Sequence, residues 1–289
     1  MRAAARATST ASSRARRRTA AELSRVAIVT GASSGIGLAV AQQWVRRGGK
    51  VAMVARTPSS LERAAKDLGD DAAAFPLDVL DTPALIALPD AVVARFGRLD
   101  VIVNNAGFNR RGPIDRFTPE ELAQIVTTNL VAPIVLSRAA LPKLERGGSI
   151  VQIASIAGMV PVPHEAAYSA SKAGLRAFSR AVAYELEAQG IHVGCVCPGP
   201  VDTGFLGDLE EVPDIVLSQP MVTADDVAAE VMRCIDERAE EIAIPAKSGR
   251  LATAGYLLPA FAKRIRPVLE KRGAKNKATL LEKRRKSVS

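Results

Sequence analysis

Short apolar runs rich in β-branched residues alternate with helical patterns from residue 25 to residue 245. Each run is almost continuously apolar, which is typical of a strand buried on both faces of a parallel sheet. The runs cover 25–30, 50–55, 73–79, 99–105, 149–155, 192–198 and 241–245. The helical patterns between them cover 36–47, 59–68, 82–96, 118–145, 165–189 and 223–238.

This alternation predicts an α/β fold, a doubly wound parallel sheet with helices on both faces, because strand–helix–strand crossovers are right-handed. Ligands of such sheets bind at the carboxyl ends of the strands, where the strand order reverses. Pro89 and Pro133 fall inside helical patterns, and we expect them to kink or divide those helices. No apolar run approaches the roughly 20 residues of a membrane span, so we expect no transmembrane helix.

The net charge of +9 is distributed unevenly. Residues 1–25 carry seven Arg and one Glu, residues 262–289 carry eleven Lys or Arg and two Glu, and the remainder is acidic by about six charges. An acidic body gives no electrostatic footprint for nucleic acid, whereas the basic ends suit a polyanion or an anionic membrane surface.

The composition divides the chain into three parts. Residues 1–24 are rich in Ala, Ser, Thr and Arg and are predicted to be a disordered basic extension. This extension has no apolar signal region; it resembles a mitochondrial presequence, which leaves the mitochondrial matrix open, but a bacterial disordered extension has the same composition and is favoured. Residues 25–246 form the predicted α/β domain, and residues 247–289 a basic amphipathic tail.

The three cysteines, Cys195, Cys197 and Cys234, form no disulfide or metal-binding pattern, and the chain has only two histidines. We therefore predict no metal site and free thiols in a reducing compartment, which favours a cytoplasmic protein. His164 is interpreted as a helix-start or pocket-wall residue.

The first predicted strand ends in the glycine-rich sequence TGASSGIG, residues 30–37. Gly31, Gly35 and Gly37 allow unusual backbone dihedrals and close approach of a ligand, and the following helix N-terminus offers N–H groups to a diphosphate. A plain tight corner is the alternative. No lysine follows the last glycine, which excludes a nucleotide-triphosphate loop.

The second predicted strand ends in Ala55 and Arg56 rather than in an acidic residue. An acid there would bind the free ribose hydroxyls of NAD, whereas Arg56 can pair with a 2′-phosphate, so NADP(H) is favoured over NAD(H). Ser33 and Ser34 add hydroxyl donors. Arg56 could instead be a solvated loop residue, and Asp78 could accept from an adenine amino group or cap the next helix.

Tyr168 and Lys172 lie four residues apart in a run of small residues, so they share one face of the predicted helix. A free phenol with a pKa of about 10 is a poor base, and an ammonium group one turn away favours the phenolate. Ser155 ends the fifth strand, where its hydroxyl can approach the same substrate oxygen or merely cap the turn.

Six motifs in order identify a family resemblance. They are residues 30–37, NNAG at 104–107, Asn129 in TTNL, Ser155, YSASK at 168–172 and PGPVDT at 198–203. Together they resemble the short-chain dehydrogenases/reductases over residues 25–245. The resemblance implies a single Rossmann-like domain with a seven-stranded parallel sheet, and nicotinamide-dependent hydride transfer between an alcohol and a ketone or aldehyde.

The resemblance also implies residue roles. Tyr168 would be the general acid/base, Lys172 would hold the nicotinamide ribose and lower the pKa of the tyrosine, Ser155 would bind the substrate oxygen, and Asn129 would position a water. The residues expected to line the dinucleotide are Gly31, Ser33, Ser34, Gly35, Ile36, Gly37, Arg56, Asp78, Val79, Asn105, Ala106, Gly107, Tyr168, Lys172, Pro198, Gly199, Val201 and Thr203. A homodimer or homotetramer is also implied.

The residues after the last motif bear on the substrate. The segment 204–220 corresponds to a mobile substrate lid in the family, and its apolar residues indicate either a hydrophobic substrate or a packing face. They are Phe205, Leu206, Leu209, Val212, Ile215 and Val216.

The basic tail alternates apolar and cationic residues at roughly helical spacing. This pattern favours peripheral contact with an anionic membrane, or packing on the domain or a partner subunit. A non-catalytic, nucleotide-sensing protein that holds a partner or a membrane through its tails is the alternative function. All four catalytic positions are filled, which favours the enzyme.

Overall fold

The computed structural model describes residues 25–288. The predicted extension over residues 1–24 lies outside the described residues. Seven strands form one sheet in the order β3-β2-β1-β4-β5-β6-β7, and every neighbouring pair is parallel. The predicted doubly wound parallel sheet is therefore confirmed. The strands are β1 Val26–Thr30, β2 Lys50–Ala55, β3 Ala72–Pro76, β4 Leu99–Asn104, β5 Leu144–Ile153, β6 His192–Pro198 and β7 Glu241–Ile244.

Helices cover both faces of the sheet. They are α1 Gly35–Arg46, α2 Pro58–Leu68, α3 Thr82–Phe96, α4 Pro119–Val126, α5 Ala132–Ala140, α6 Ala166–Leu186, α7 Ala224–Glu237, α8 Ala246–Leu257 and α9 Pro259–Val288. Alternate residues of each strand point to opposite faces, so Val29 of β1 belongs to the core layer with α1 and α7, and Ile28 to the layer with α3 and α5. The order reverses between β1 and β4, which places the switch point at their carboxyl ends.

The two internal prolines differ in outcome: α3 continues through Pro89, whereas the helical stretch that contains Pro133 is divided into α4 and α5 by a π-helical turn. Pro89 lies buried inside the continuous α3. Pro133 is the second residue of α5, and the five residues before it, Thr127–Val131, form a π-helical turn that joins α4 to α5. Pro133 has no N–H for the carbonyl of Asn129 four residues earlier, and the wider turn accommodates this loss.

Residues 119–143 of the described chain form one helical stretch that is long and apolar enough to cross a membrane, by length and composition alone. The expectation of no transmembrane helix rested on unbroken apolar runs, which polar residues interrupt in this stretch, and it stays a prediction. Ala132, Leu136 and Ala140 of this stretch are buried in the core layer that contains Ile102 and Ile150. Its apolar side chains therefore contribute to the core of the domain.

The second half of α9 packs on the segment 204–220, which we call the substrate loop. Lys277 forms an ion pair with Asp214 at 2.7 Å, and the Asn276 side-chain amide donates to the carbonyl oxygen of Leu217 at 2.8 Å. Leu280 and Leu281 pack against the buried side chains of the substrate loop. The tail is thus a helix whose second half packs on the domain.

Gly273 sets how closely α9 approaches the substrate loop. A Cβ atom at this position would lie 1.7 Å from the carbonyl oxygen of Asp214. Only glycine allows this approach, so the two segments must separate if any side chain is added.

We predict that Gly273→Ala destabilises the protein, although Gly to Ala inside a helix normally stabilises it by about 1 kcal/mol. The clash with Asp214 should instead lower the free energy of unfolding by about 1–3 kcal/mol, measured by urea denaturation. Gly204→Ala is the control, since a Cβ atom there meets nothing within 4 Å. A Gly273→Ala variant more stable than wild type would contradict the close packing of α9.

Candidate active site

The turn between β1 and α1 is fixed to the end of β4. The Thr30 hydroxyl accepts from the backbone N–H groups of Asn105 and Ala106 at 3.0 and 2.9 Å. The Asn105 side-chain amide donates to the carbonyl oxygen of Thr30 at 2.9 Å. Gly31 has a φ of +66°, and a Cβ atom there would lie 2.8 Å from the Asn105 amide nitrogen. These bonds hold the two strand ends of the switch point in one geometry.

A single large cavity of about 1360 Å³ extends from this turn across the carboxyl ends of the strands to α9. Its volume exceeds the usual range of small-molecule pockets, about 300–1,000 Å³, and leaves room for a dinucleotide and a second ligand. The residues of the sequence prediction that line it are Gly31, Ser33, Ser34, Gly35, Ile36, Arg56, Asp78, Val79, Asn105, Ala106, Gly107, Ser155, Tyr168, Lys172, Pro198, Gly199, Val201 and Thr203.

Two predicted site residues, Gly37 and Asn129, do not line the cavity. Gly37 is buried behind its wall, where a Cβ atom would lie 2.3 Å from the carbonyl oxygen of Gly31. The missing side chain lets α1 pack on the turn, and a contact of Gly37 with a cofactor stays a prediction.

Asn129 is fully buried in the π turn, and its side chain bonds to protein groups. Its amide oxygen accepts from the N–H of Phe108 at 3.0 Å, and its nitrogen donates to the carbonyl oxygen of Phe108 at 2.9 Å and to the Ser171 hydroxyl at 3.2 Å. The side chain of Asn129 therefore ties the residues after β4 to α6, and only its backbone carbonyl lacks the usual donor.

The open end of the cavity near β2 has donors with no partner among the described residues. Arg56 is exposed and makes no hydrogen bond or ion pair there. Ser34 is the N-cap residue of α1, and its side chain makes no cap hydrogen bond. Asp78 accepts from the N–H of Leu80 at 3.0 Å, while Asp81 caps α3, so the alternative that Asp78 caps this helix was wrong.

Ser155, Tyr168 and Lys172 converge at the ends of β5 and β6. Tyr168 and Lys172 lie one turn apart on α6, with the ammonium nitrogen 5.8 Å from the centre of the phenol ring. The Lys172 ammonium group donates to the carbonyl oxygen of Ile153 at 2.8 Å. The Ser155 hydroxyl accepts from the N–H of Ala157 at 3.1 Å, so this serine caps its turn and also faces Tyr168.

Burial dominates the electrostatics of these groups. It raises the pKa of Tyr168 well above its usual value, and the Glu165 carboxylate adds to this, while a hydrogen bond with Ser155 opposes it. The net shift is opposite in direction to the lowering expected from Lys172, because desolvation of the phenolate outweighs the opposing effects of Ser155 and of the Arg111 charge. Burial also lowers the pKa of Lys172 to about 8.

Sequence reasoning missed a buried ion pair beside Tyr168. Arg111 and Glu165 approach at 2.7 Å, and both side chains are at least nine-tenths buried. Burial raises the pKa of Glu165, and Arg111 opposes that shift. Glu165 stands three residues before Tyr168, which was the one available signal; nothing in the sequence pointed to Arg111. His164, the residue singled out instead, is exposed and does not line the cavity.

Arg111 also holds the substrate loop over the cavity. Its guanidinium donates to the carbonyl oxygen of Leu206 at 2.9 Å and lies 6.0 Å from the Phe205 ring. The rings of Phe205 and Tyr168 are 6.0 Å apart. The apolar loop residues form a packing face with α9 that includes Leu206, Leu209, Val212 and Val216. Phe205, Leu206, Ile215 and Val216 also line the cavity, and a hydrophobic substrate stays a prediction.

One trio in the described part of the chain brings three metal-ligand atoms within 4.8 Å of one another: Cys195, Cys197 and Glu241. Glu241 is already bound by both Arg176 nitrogens at 2.9 Å. The hydrogen bond from Cys195 and burial raise the pKa of Cys197. Neutral thiols are poor metal ligands, so this cluster gives no support for a metal centre.

Known proteins share both the sequence and the fold of this chain. The model of the family described as short chain dehydrogenase matches residues 25–213. A 3-oxoacyl-[acyl-carrier-protein] reductase of Homo sapiens is 38% identical over 191 residues, 65% of this chain and 81% of that protein. One from Vibrio cholerae is 35% identical over 215 residues, 71% and 88% of the two chains.

Solved structures agree. A short-chain dehydrogenase from Streptomyces avermitilis superposes with a TM-score of 0.72 at 32% identity, over 84% of this chain and 98% of the other. One from Burkholderia cenocepacia, solved in complex with NADP, gives 0.71 at 32% identity, over 76% and 96%. The fold, the ordered motifs and these matches show that the chain is an oxidoreductase of the short-chain dehydrogenase/reductase family.

Proposed function

We propose that this protein reduces a ketone or aldehyde to an alcohol with NADPH, and that Tyr168 is the proton donor. The observation that carries the proposal is the convergence of the Ser155 hydroxyl, the Tyr168 phenol and the Lys172 ammonium group in the cavity that continues to the β1–α1 turn. The family match supports the reaction class.

The residues at the β1 end fit a dinucleotide. Gly31 and Gly35 both have positive φ, so the backbone before α1 is open for the close approach of a ligand. Ser34 leaves the first N–H groups of α1 without a side-chain acceptor, which suits a diphosphate. Lys172 and Asn105 would hold the nicotinamide ribose side, and Thr203 the carboxamide or diphosphate side.

Arg56 supports a preference for NADP(H) over NAD(H). It lies after β2, where family members read the adenosine ribose, and no described carboxylate competes for its guanidinium. A guanidinium can bind a 2′-phosphate through two parallel hydrogen bonds. Asp78 and Val79 line the same end of the cavity and would contact the adenine.

Proton transfer follows from the state of Tyr168. When bound, NADPH supplies the hydride to the carbonyl carbon. The neutral phenol of Tyr168 donates its proton to the carbonyl oxygen, which Ser155 orients with a second hydrogen bond. The raised pKa of Tyr168 keeps this proton in place at neutral pH, which suits the reducing direction.

After each reduction, Lys172 and Asn129 would help to return a proton to Tyr168. The Lys172 ammonium lies beside the phenol, and a Cβ atom on Gly107 would be 3.5 Å from its nitrogen. The Asn129 carbonyl, which lacks its usual donor because residue 133 is proline, is free to accept from a water near Lys172. Such a water would connect the phenol to solvent.

The substrate is proposed to be hydrophobic next to its carbonyl group. Phe205, Leu206, Ile215 and Val216 give the substrate end of the cavity apolar walls. The names of the human and Vibrio relatives point to 3-oxoacyl chains as the class to test first. We further propose that the protein is a homodimer or homotetramer and that it lies in the cytoplasm, in peripheral contact with a membrane.

The rival proposal is a nucleotide-sensing protein without catalytic activity. Measured turnover of a carbonyl substrate would exclude it.

We predict that Tyr168→Phe lowers kcat for carbonyl reduction at least 100-fold, because the proton donor is lost. Binding of NADPH, measured by fluorescence titration, should change less than threefold. Phe205→Leu is the control, since it alters the neighbouring ring and keeps the phenol. A Tyr168→Phe enzyme with more than a tenth of wild-type kcat would refute the assignment.

We predict that Arg56→Ala weakens NADPH binding about 10- to 100-fold and NADH binding less than threefold, because only NADPH carries the 2′-phosphate. Dissociation constants for the two coenzymes measure this directly. Arg63→Ala on the exposed side of α2 is a matched loss of charge nearby. Equal weakening for both coenzymes would remove the 2′-phosphate role.

We predict that kcat/KM for NADPH falls as pH rises through about 8, because Lys172, with its pKa lowered to about 8, loses its charge there. Tyr168, whose pKa is raised, stays protonated across the same range. Cys197→Ala should keep this profile, which separates Lys172 from the nearby thiols. A flat profile from pH 6 to 9.5 would be inconsistent with this role of Lys172.

A further inference from the structure

Exposed apolar side chains are concentrated at the junction of α8 and α9. Of the eleven large apolar residues exposed in residues 25–284, six lie within the 18 residues 251–268, and the other five are scattered. A contiguous apolar surface of this kind marks an interaction site rather than ordinary surface composition. The six, which we call the corner patch, are Leu251, Tyr256, Leu257, Leu258, Phe261 and Val268.

Cations surround the corner patch. Residues 247–272 contain seven Lys or Arg and one acid, Glu270, whereas the chain between the two basic ends is acidic. Glu270 pairs with Arg266 at 2.7 Å. Lys263, Arg264 and Lys271 are exposed and have no partner among the described residues. The charge around the patch is therefore uncompensated and opposite in sign to the body.

The first half of α9 has two different faces. Phe261, Arg264, Val268 and Lys271 recur at helical spacing, and all four are exposed. Ala262, Ile265 and Leu269 are half-buried and line the cavity instead. One helix thus presents a mixed apolar and cationic face to the exterior, and towards the cavity it contributes both apolar residues and the cations Lys263, Arg266 and Arg272.

The corner patch stands at the mouth of the cavity. Leu251 and Tyr256 are exposed and yet line it, as do Lys263 and Arg266. The far end of the cavity, at β1, holds the residues proposed for the coenzyme. A molecule entering at the corner patch therefore reaches Tyr168 from the substrate side.

We infer that the corner patch docks on an anionic membrane surface, and that an apolar carbonyl compound dissolved in the bilayer enters the cavity through this mouth. The second half of the inference rests on the proposed reductase activity. Apolar tips flanked by Lys and Arg match the boundary between acyl chains and anionic headgroups. A second copy of this chain is a poorer occupant, because a two-fold contact would place two like-charged patches against each other.

Sedimentation with vesicles tests the docking. Wild-type protein should pellet with phosphatidylcholine vesicles containing 30 mol% phosphatidylglycerol (roughly the anionic content that such polybasic surfaces respond to) and not with phosphatidylcholine alone. Leu257→Ser/Leu258→Ser should weaken binding at least tenfold. Ile86→Ser/Ile114→Ser, which removes two comparably exposed apolar residues elsewhere, should change binding less than twofold. Arg264→Glu/Lys271→Glu should abolish binding to the vesicles that contain phosphatidylglycerol.

Turnover tests the delivery of substrate. All these variants should reduce a short, water-soluble ketone at the wild-type rate, since none of the changed side chains lines the cavity. Reduction of a long-chain 3-oxoacyl ester embedded in the vesicles should fall with vesicle binding. If the wild-type protein reduces neither substrate, the reductase proposal is refuted. The docking inference is judged separately, by sedimentation.

Two results would overturn the docking inference. The first is that the corner-patch variants still bind the vesicles, or that the control variant loses binding to the same extent. The other is a smaller oligomer of Leu257→Ser/Leu258→Ser in light scattering without a loss of vesicle binding, which would assign the patch to a subunit interface.

Discussion

The burial of a phenol and an ammonium group one helical turn apart is the constraint on which the rest of this site depends. Burial alone drives both groups towards their neutral forms, raising the pKa of Tyr168 and lowering that of Lys172. The surrounding structure opposes this: the Ile153 carbonyl accepts from Lys172, and the Ser155 hydroxyl counteracts the rise in the pKa of Tyr168. In the proposed reduction, a protonated phenol beside an ammonium group with a pKa of about 8 would serve as the proton donor.

Small residues make that burial geometrically feasible. A Cβ atom on Gly158 would lie 2.6 Å from the carbonyl carbon of Lys172, and one on Gly174 would lie 2.9 Å from Leu130. On the other side, a Cβ atom on Gly107 would meet the Asn129 amide oxygen at 2.9 Å. Helix α6 can therefore lie directly against the strand ends and the π turn. The small residues around Tyr168 and Lys172 in the sequence are the visible part of this requirement.

The sequence predicted the fold and most of the residues that gather around the cavity because both depend on local patterns. Apolar strands alternate with helices, and Gly31, Ser155, Tyr168 and Lys172 follow strand ends or share a helix face, so their convergence follows from topology. The packing role of Gly37 was not foreseen, because a glycine needed for packing and one needed for a ligand look alike in sequence. The sign of the Tyr168 shift was wrong because spacing reveals a neighbouring charge, whereas desolvation depends on the whole surrounding fold. Arg111 lies 54 residues from Glu165, and only the tertiary structure brings them together.

The substrate loop is held from two sides, and this gives α9 a mechanical as well as a surface role. From inside, Arg111 binds the Leu206 carbonyl while paired with Glu165, which directly precedes α6. From outside, Lys277 and Asn276 bind Asp214 and Leu217 of the same loop. The corner patch lies on α8 and the first half of α9, whereas the contacts with the substrate loop come from the second half of α9. The membrane contact proposed above and the packing that fixes the loop over Tyr168 therefore lie on one helix, with Pro267 inside it. The close contact at Gly273 is what allows the second half of that helix to lie directly on the loop.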